Sequence, residues 1–138
     1  MSLQYMLDTD ICSYIIKRSS AALLRKLQTI PTQDICISVI SKAELLYGVE
    51  VSPRRRQDDA AVQMFLRHVE VLDFPDQAAA HYARIRADLK RKGSPIGASD
   101  LLLAAHALAL DLIVVTNNTR EFNRVRGLHI ENWSLAAS

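Results

Sequence analysis

A chain of 138 residues, 49% apolar and 23% charged, has room for one folded unit with a real core, and its composition excludes a disordered or fibrous class. The longest apolar stretch, Leu101 to Leu110, is broken by His106 and is too short to span a bilayer, and no basic segment precedes an apolar run at the start; neither a membrane span nor a secretory signal is expected. A net charge of +2 does not by itself mark a nucleic-acid binder.

Tyr5-Met6-Leu7 reads as a short buried strand ending at Asp8. Helices are predicted from Asp10 to Lys17 and from Ala21 to Thr29, before Pro31 and Thr32 break the chain. Ile35 to Ser38 is the second strand, followed by a helix from Ser38 to Val51. Pro53 opens a polar, basic segment that becomes helix near Asp58 and runs to His68. Val69 to Leu72 is the third strand, stopped by Pro75. Gln77 to Lys92 is a helix with Ala78, Tyr82, Ile85 and Leu89 on one stripe. A Gly-Ser-Pro-Ile-Gly loop, 93–97, leads into a helix that holds Asp100 and is apolar nearly all round, as for a helix buried between layers. Leu112 to Thr116 is a continuous apolar strand, and a short helix (Thr119 to Asn123) and a last strand near His129 to Glu131 complete the chain. This alternation predicts one three-layer α/β/α domain over residues 1–138, built on a parallel sheet.

Three carboxylates fall where such a fold gathers side chains. Asp8 follows the first strand, Glu44 lies on the helix after the second, and Asp100 is in the first turns of the helix beside the fourth. Open parallel sheets form their ligand sites outside those strand ends. Acids crowded there repel one another unless they protonate or bind a cation, and an all-oxygen set suits Mg²⁺ or Mn²⁺. Glu44 falls in a predicted apolar stripe of Ile40, Ala43, Tyr47 and Val51, so its charge needs either a cation or an ion pair with an arginine such as Arg84 or Arg86. Asp10 reads as the cap of the first helix, with a contact at or beside the metal as the alternative. Thr116, Asn117 and Asn118 form a fourth corner, with Asn118 projecting into the same crevice. Ser38 and Ser41 serve as helix-start residues or as donors to Asp8 and Glu44.

The remaining polar residues are less informative. His68, His81, His106 and His129 show no paired metal spacing, and His106 reads as a satisfied core residue. Tyr47 and Trp133 read as packing groups. Cys12 and Cys36 each lie inside a predicted element, which points to reduced, packed thiols and a cytoplasmic home. Much of the basic charge is clustered: Arg54-Arg55-Arg56, Lys90-Arg91-Lys92, and Arg120 with Arg124 and Arg126. Such clusters either carry phosphate contacts or solvate a surface.

Four segments in order resemble the PIN-domain ribonucleases: Leu7-Asp8-Thr9-Asp10-Ile11, Ile40 to Leu45, Ile96 to Asp100 with Ala104-Ala105-His106, and Val115 to Phe122. The last of these, with Gly127 to Trp133, is similar to the VapC toxin branch in particular. The resemblance implies a parallel sheet of about five strands and an endoribonuclease using Mg²⁺, with Mn²⁺ able to substitute. By the same likeness Asp8, Glu44 and Asp100 hold the metal and Asn118 joins them at the catalytic site. Many PIN domains carry an aspartate at the position of Asn118, and a neutral amide attracts a second cation less. The likeness also implies a bacterial, cytoplasmic toxin that forms homodimers, is inhibited by a VapB-type antitoxin, and cuts tRNA in the anticodon stem-loop, initiator tRNA included. Arg54, Arg55, Lys90, Arg91, Lys92 and Arg120 are the candidate RNA contacts. Two other readings fit parts of the pattern: a haloacid dehalogenase-like phosphatase using Asp8 and Asp10, and a PIN module that binds RNA or a partner without cleaving it.

Overall fold

In the computed structural model, which describes residues 2–135, five short parallel strands form one sheet in the order β3-β2-β1-β4-β5. The strands are β1 (Tyr5–Leu7), β2 (Ile35–Ser38), β3 (Glu70–Leu72), β4 (Ile113–Val115) and β5 (Ile130–Glu131). β1 is central, with Leu7 in register with Ile37 on one side and Val115 on the other. The chain winds outward from β1 in one direction through β2 and β3, then returns to the other side through β4 and β5. The crevice between β1 and β4 is therefore the topological switch point.

The helices are α1 (Thr9–Lys17), α2 (Ala21–Gln28), α3 (Val39–Glu50), α4 (Arg55–Arg67), α5 (Ala78–Arg91), α6 (Ala98–Leu110) and α7 (Thr119–Phe122). Alternation along each strand divides the core in two, since successive side chains leave opposite faces of the sheet. Leu7, Ile37 and Val115 pack with Ile11, Leu23, Leu45, Val62 and Trp133 beneath α1 to α4. Met6, Cys36 and Val114 pack with Ile85, Leu89, Leu103 and Phe122 beneath α5 to α7. The three-layer arrangement and the parallel five-stranded sheet expected from the sequence are both present. No helix among the described residues is long and apolar enough to cross a membrane. Cys12 and Cys36 are buried free thiols.

Two sequence expectations are corrected. α4 begins at Arg55, three residues before Asp58, because the Arg54 carbonyl already accepts the Asp58 N–H and so closes the first turn across the arginine run. On α3 the buried positions are Ser41, Leu45 and Val49; Tyr47 and Val51 are 68% and 61% exposed, and Ala43 also faces solvent. This helix is apolar on more than one face, so spacing alone could not select the stripe that packs. Tyr47 is consequently not a packing group, whereas Trp133 is: it is buried edge-on to Tyr5, with Nε1 donating to Glu131 at 2.8 Å.

One buried polar contact ties the two site-bearing helices together. Ser38 is the N-cap of α3, its Oγ accepting the Ile40 N–H at 3.0 Å, and the same Oγ lies 2.9 Å from Nδ1 of His106 on α6. His106 is completely buried with Nε2 unpartnered among the described residues, so it is only half satisfied, and burial lowers its pKa. Replacing Ser38 by Ala removes both a helix cap and the remaining partner of His106. Urea denaturation of Ser38→Ala is expected to show a loss of about 2–3 kcal/mol, and an unchanged midpoint would refute this account of the clamp.

Candidate active site

The acids enter the switch-point crevice by four separate routes. Asp8 leaves the end of β1 and is 4% exposed. It is itself the N-cap of α1: Oδ1 accepts the Ile11 N–H at 2.9 Å, and the buried Thr116 hydroxyl beyond β4 also bonds to it. The capping role expected of Asp10 therefore belongs to Asp8, because the chain turns helical immediately after β1. Asp10 sits exposed in the first turn of α1. Asp100 occupies the first turn of α6 and is half-buried.

Glu44 is half-buried on α3 and pairs with no arginine among the described residues; it accepts a hydrogen bond from Thr9, whose hydroxyl is also 3.0 Å from Ser41. Its site position thus comes from the α1–α3 contact rather than from the stripe read in the sequence. Asn118 follows β4, where its N–H donates to the Thr116 hydroxyl at 2.8 Å. Its Nδ2 lies 3.4 Å from Asp100 Oδ2 and donates to Glu121. Glu121, on α7, is a fourth acid to which sequence reasoning gave no role. It accepts the Gly97 N–H at 2.9 Å and so pins α7 to the start of α6. The signal available was the Asn118-x-x-Glu121 spacing just past a strand, which puts both side chains on one side of a helical turn.

Electrostatics describe a site short of positive charge. Burial, with the charges of Asp10 and Glu44, raises the Asp8 pKa to about 6 against the hydrogen bonds that favour its ionised form. Burial followed by Glu121, Asp8 and Glu44 raises Asp100 to about 7, while its hydrogen bond to Asp100 holds Glu121 below the usual range. The negative charge of Glu121 therefore disfavours ionisation of Asp100. The donors are all oxygen and collectively anionic, which fits a hard divalent cation. Each acid is nonetheless tied to a hydroxyl, an amide or a backbone N–H. Among the described residues no three His, Cys, Asp or Glu side chains meet at a common point as they stand.

The basic clusters stand on different elements. Arg54 lines a groove of about 330 Å³ that also includes Thr9 and Glu44. Arg55 is paired with Glu50 at 2.9 Å and Lys92 with Asp88 at 3.0 Å, both at the surface. Lys90, Arg91 and Lys92 close α5, and Arg120 is exposed on α7 two residues from Asn118.

Comparison with known proteins is consistent across sequence and structure. A sequence family described as PIN domain matches residues 5–128. The tRNA(fMet)-specific endonuclease VapC of Shigella flexneri is 43% identical over 132 residues, covering 96% of this chain and 99% of the relative. The corresponding Salmonella typhimurium enzyme is 44% identical, covering 95% and 98%. A DNA-bound VapBC crystal structure from Salmonella typhimurium superposes with a TM-score of 0.89 at 44% identity, covering 95% of this chain and 98% of that one. VapBC2 of Rickettsia felis, bound to a promoter DNA fragment, superposes with a TM-score of 0.88 at 38% identity, covering 96% and 99%. These relatives do not favour the phosphatase alternative, and Asp10 is exposed rather than gathered into the site.

Because Asp8 and Asp100 hold protons more tightly folded than unfolded, the metal-free folded state loses stability as pH rises from about 4 through 6 to 7. Asp8→Asn keeps a cap oxygen for Ile11 and removes one such charge. In EDTA at pH 7.5 it is expected to be more stable than the parent by on the order of 2–3 kcal/mol. The gain should shrink to nothing as the pH approaches 4. Thermal melts across that range check it, and a variant less stable at pH 7.5 would contradict the crowding.

Proposed function

The chain belongs to the PIN-domain family, among the VapC ribonucleases, and on that premise we propose that it is a divalent-metal-dependent endoribonuclease toxin, cutting tRNA in the anticodon stem-loop and restrained by a VapB-type antitoxin. The observation that carries the reading is the crowding of Asp8, Glu44, Asp100 and Glu121 in one crevice with too little positive charge to balance them. Initiator tRNA is the first substrate to try, because the Shigella and Salmonella relatives are named for it. The bacterial cytoplasm and a homodimer are part of the same reading.

In this proposal Asp8, Glu44 and Asp100 hold Mg²⁺, or Mn²⁺ in its place, and Glu121 adds the charge that the neutral Asn118 does not. When bound, the ion supplies positive charge against the developing negative charge of the phosphate and makes water more acidic. The protein's own residues do the positioning. Ile11 N–H and the Thr116 hydroxyl fix Asp8. Thr9 orients Glu44, and Asn118 directs its amide to Asp100 and Glu121. Arg54 and Arg120, exposed beside these groups, are suited to the substrate backbone, as are Lys90, Arg91 and Lys92 at the end of α5. Part of the Arg55 and Lys92 charge is engaged by Glu50 and Asp88.

Antitoxin-free protein incubated with total tRNA and Mg²⁺ or Mn²⁺ should yield discrete fragments, and EDTA should abolish them. Asp8→Asn and Asp100→Asn are each expected to lower kcat/KM by roughly 100-fold or more. Cleavage at the parent rate by either variant would end the reading, and RNA binding without any cleavage would favour a non-catalytic module.

A further inference from the structure

A second groove runs between α5 and α6, with a volume of about 880 Å³. Arg86 and Lys90 line its α5 wall, and Pro95 and Ile96 of the loop before α6 line the other. Leu89 and Leu101 form an apolar floor. Leu101 directly follows Asp100, so the groove shares the first turn of α6 with the candidate active site.

Arg86 and Lys90 are four residues apart on one helix, which sets them on the same face. Both are exposed, and neither belongs to the ion pairs found among the described residues, Arg55–Glu50 and Lys92–Asp88. Arg86 is also pre-positioned. Its Nη1 donates to the Tyr82 hydroxyl at 2.9 Å, and its guanidinium carbon lies 5.9 Å from the centre of that ring. Two uncompensated cations above an apolar floor complement a single nucleic-acid strand, whose backbone is anionic and whose unstacked bases are flat and apolar.

Resting on the nuclease reading above, the geometry points to a subsite for the RNA strand flanking the scissile phosphate. Arg86 and Lys90 hold backbone phosphates, and a base lies against Pro95 and Ile96. The charge complementarity of the groove and its place at the helix start that also carries Asp100 select this occupant. Neither Arg86 nor the loop apolar pair follows from the basic cluster at 90–92, because it is the packing of α5 on α6 that brings them opposite one another.

The test compares wild type, Arg86→Gln, Lys90→Gln, the double variant and Arg86→Lys on a tRNA stem-loop with Mg²⁺. Arg67→Gln, on α4 in the other helix layer, serves as the control. The double variant is expected to raise KM roughly tenfold with kcat nearly unchanged, and to flatten the dependence of log KM on log salt by about 1.4. Arg86→Lys should retain part of the affinity, and the control should match wild type. Unchanged KM and salt slope in the double variant would overturn the subsite, as would weakened antitoxin binding or self-association with RNA kinetics intact. Binding of the same RNA in EDTA separates the two levels of inference. Equal binding by wild type and the double variant overturns the subsite, whereas absence of cleavage by wild type overturns the nuclease reading and leaves the binding comparison decisive for the groove.

Discussion

Mutual repulsion among Asp8, Glu44, Asp100 and Glu121, concentrated where β1 and β4 part, is the constraint to which the rest of the architecture answers. Folding brings four acids from distant parts of the chain into one crevice, and burial makes the ionised forms of Asp8 and Asp100 costlier still. Stability drawn from the two hydrophobic layers has to offset that cost. A parallel sheet covered on both faces is well suited to do so, because its short strands are nearly continuous apolar runs.

Neutral donors restrain the acids without cancelling their charge. Backbone N–H groups at helix starts serve Asp8 and Glu121, hydroxyls serve Asp8 and Glu44, and an amide serves Asp100 and Glu121. Such donors orient a carboxylate while leaving the net negative charge available to a cation, which an arginine in the same place would consume. Beneath them, Ser38 and His106 fix α3 against α6 through the core, so the helices carrying Glu44 and Asp100 meet at a polar contact as well as an apolar one. Exposed positive charge stands outside the crevice, at Arg54, Arg120 and along the α5–α6 groove.

Some of this was legible in the chain alone. The alternation of short apolar runs with helical stripes determined the layered α/β class, because periods of about two and 3.6 residues cannot both suit one element. Asp8, immediately after a buried run, and Asp100, just past a glycine-rich loop, were readable because their positions depend only on where a strand or helix ends. The motif order carried the likeness to the PIN-domain ribonucleases.

What tertiary structure alone decided concerns orientation and long-range contact. Along α3 every face offers apolar residues, so only packing against α1 and α4 could bury Leu45 and Val49, expose Tyr47 and turn Glu44 toward Thr9. Glu121 gained its place through Gly97, which is 24 residues away in sequence, and Ser38 found His106 across 68 residues. Arg86 faces Ile96 only because α5 folds back along α6. Local patterning determines which segments become strands and helices, since backbone preferences and period act over a few residues. Which side chains then meet depends on how those elements pack, and no local pattern encodes that.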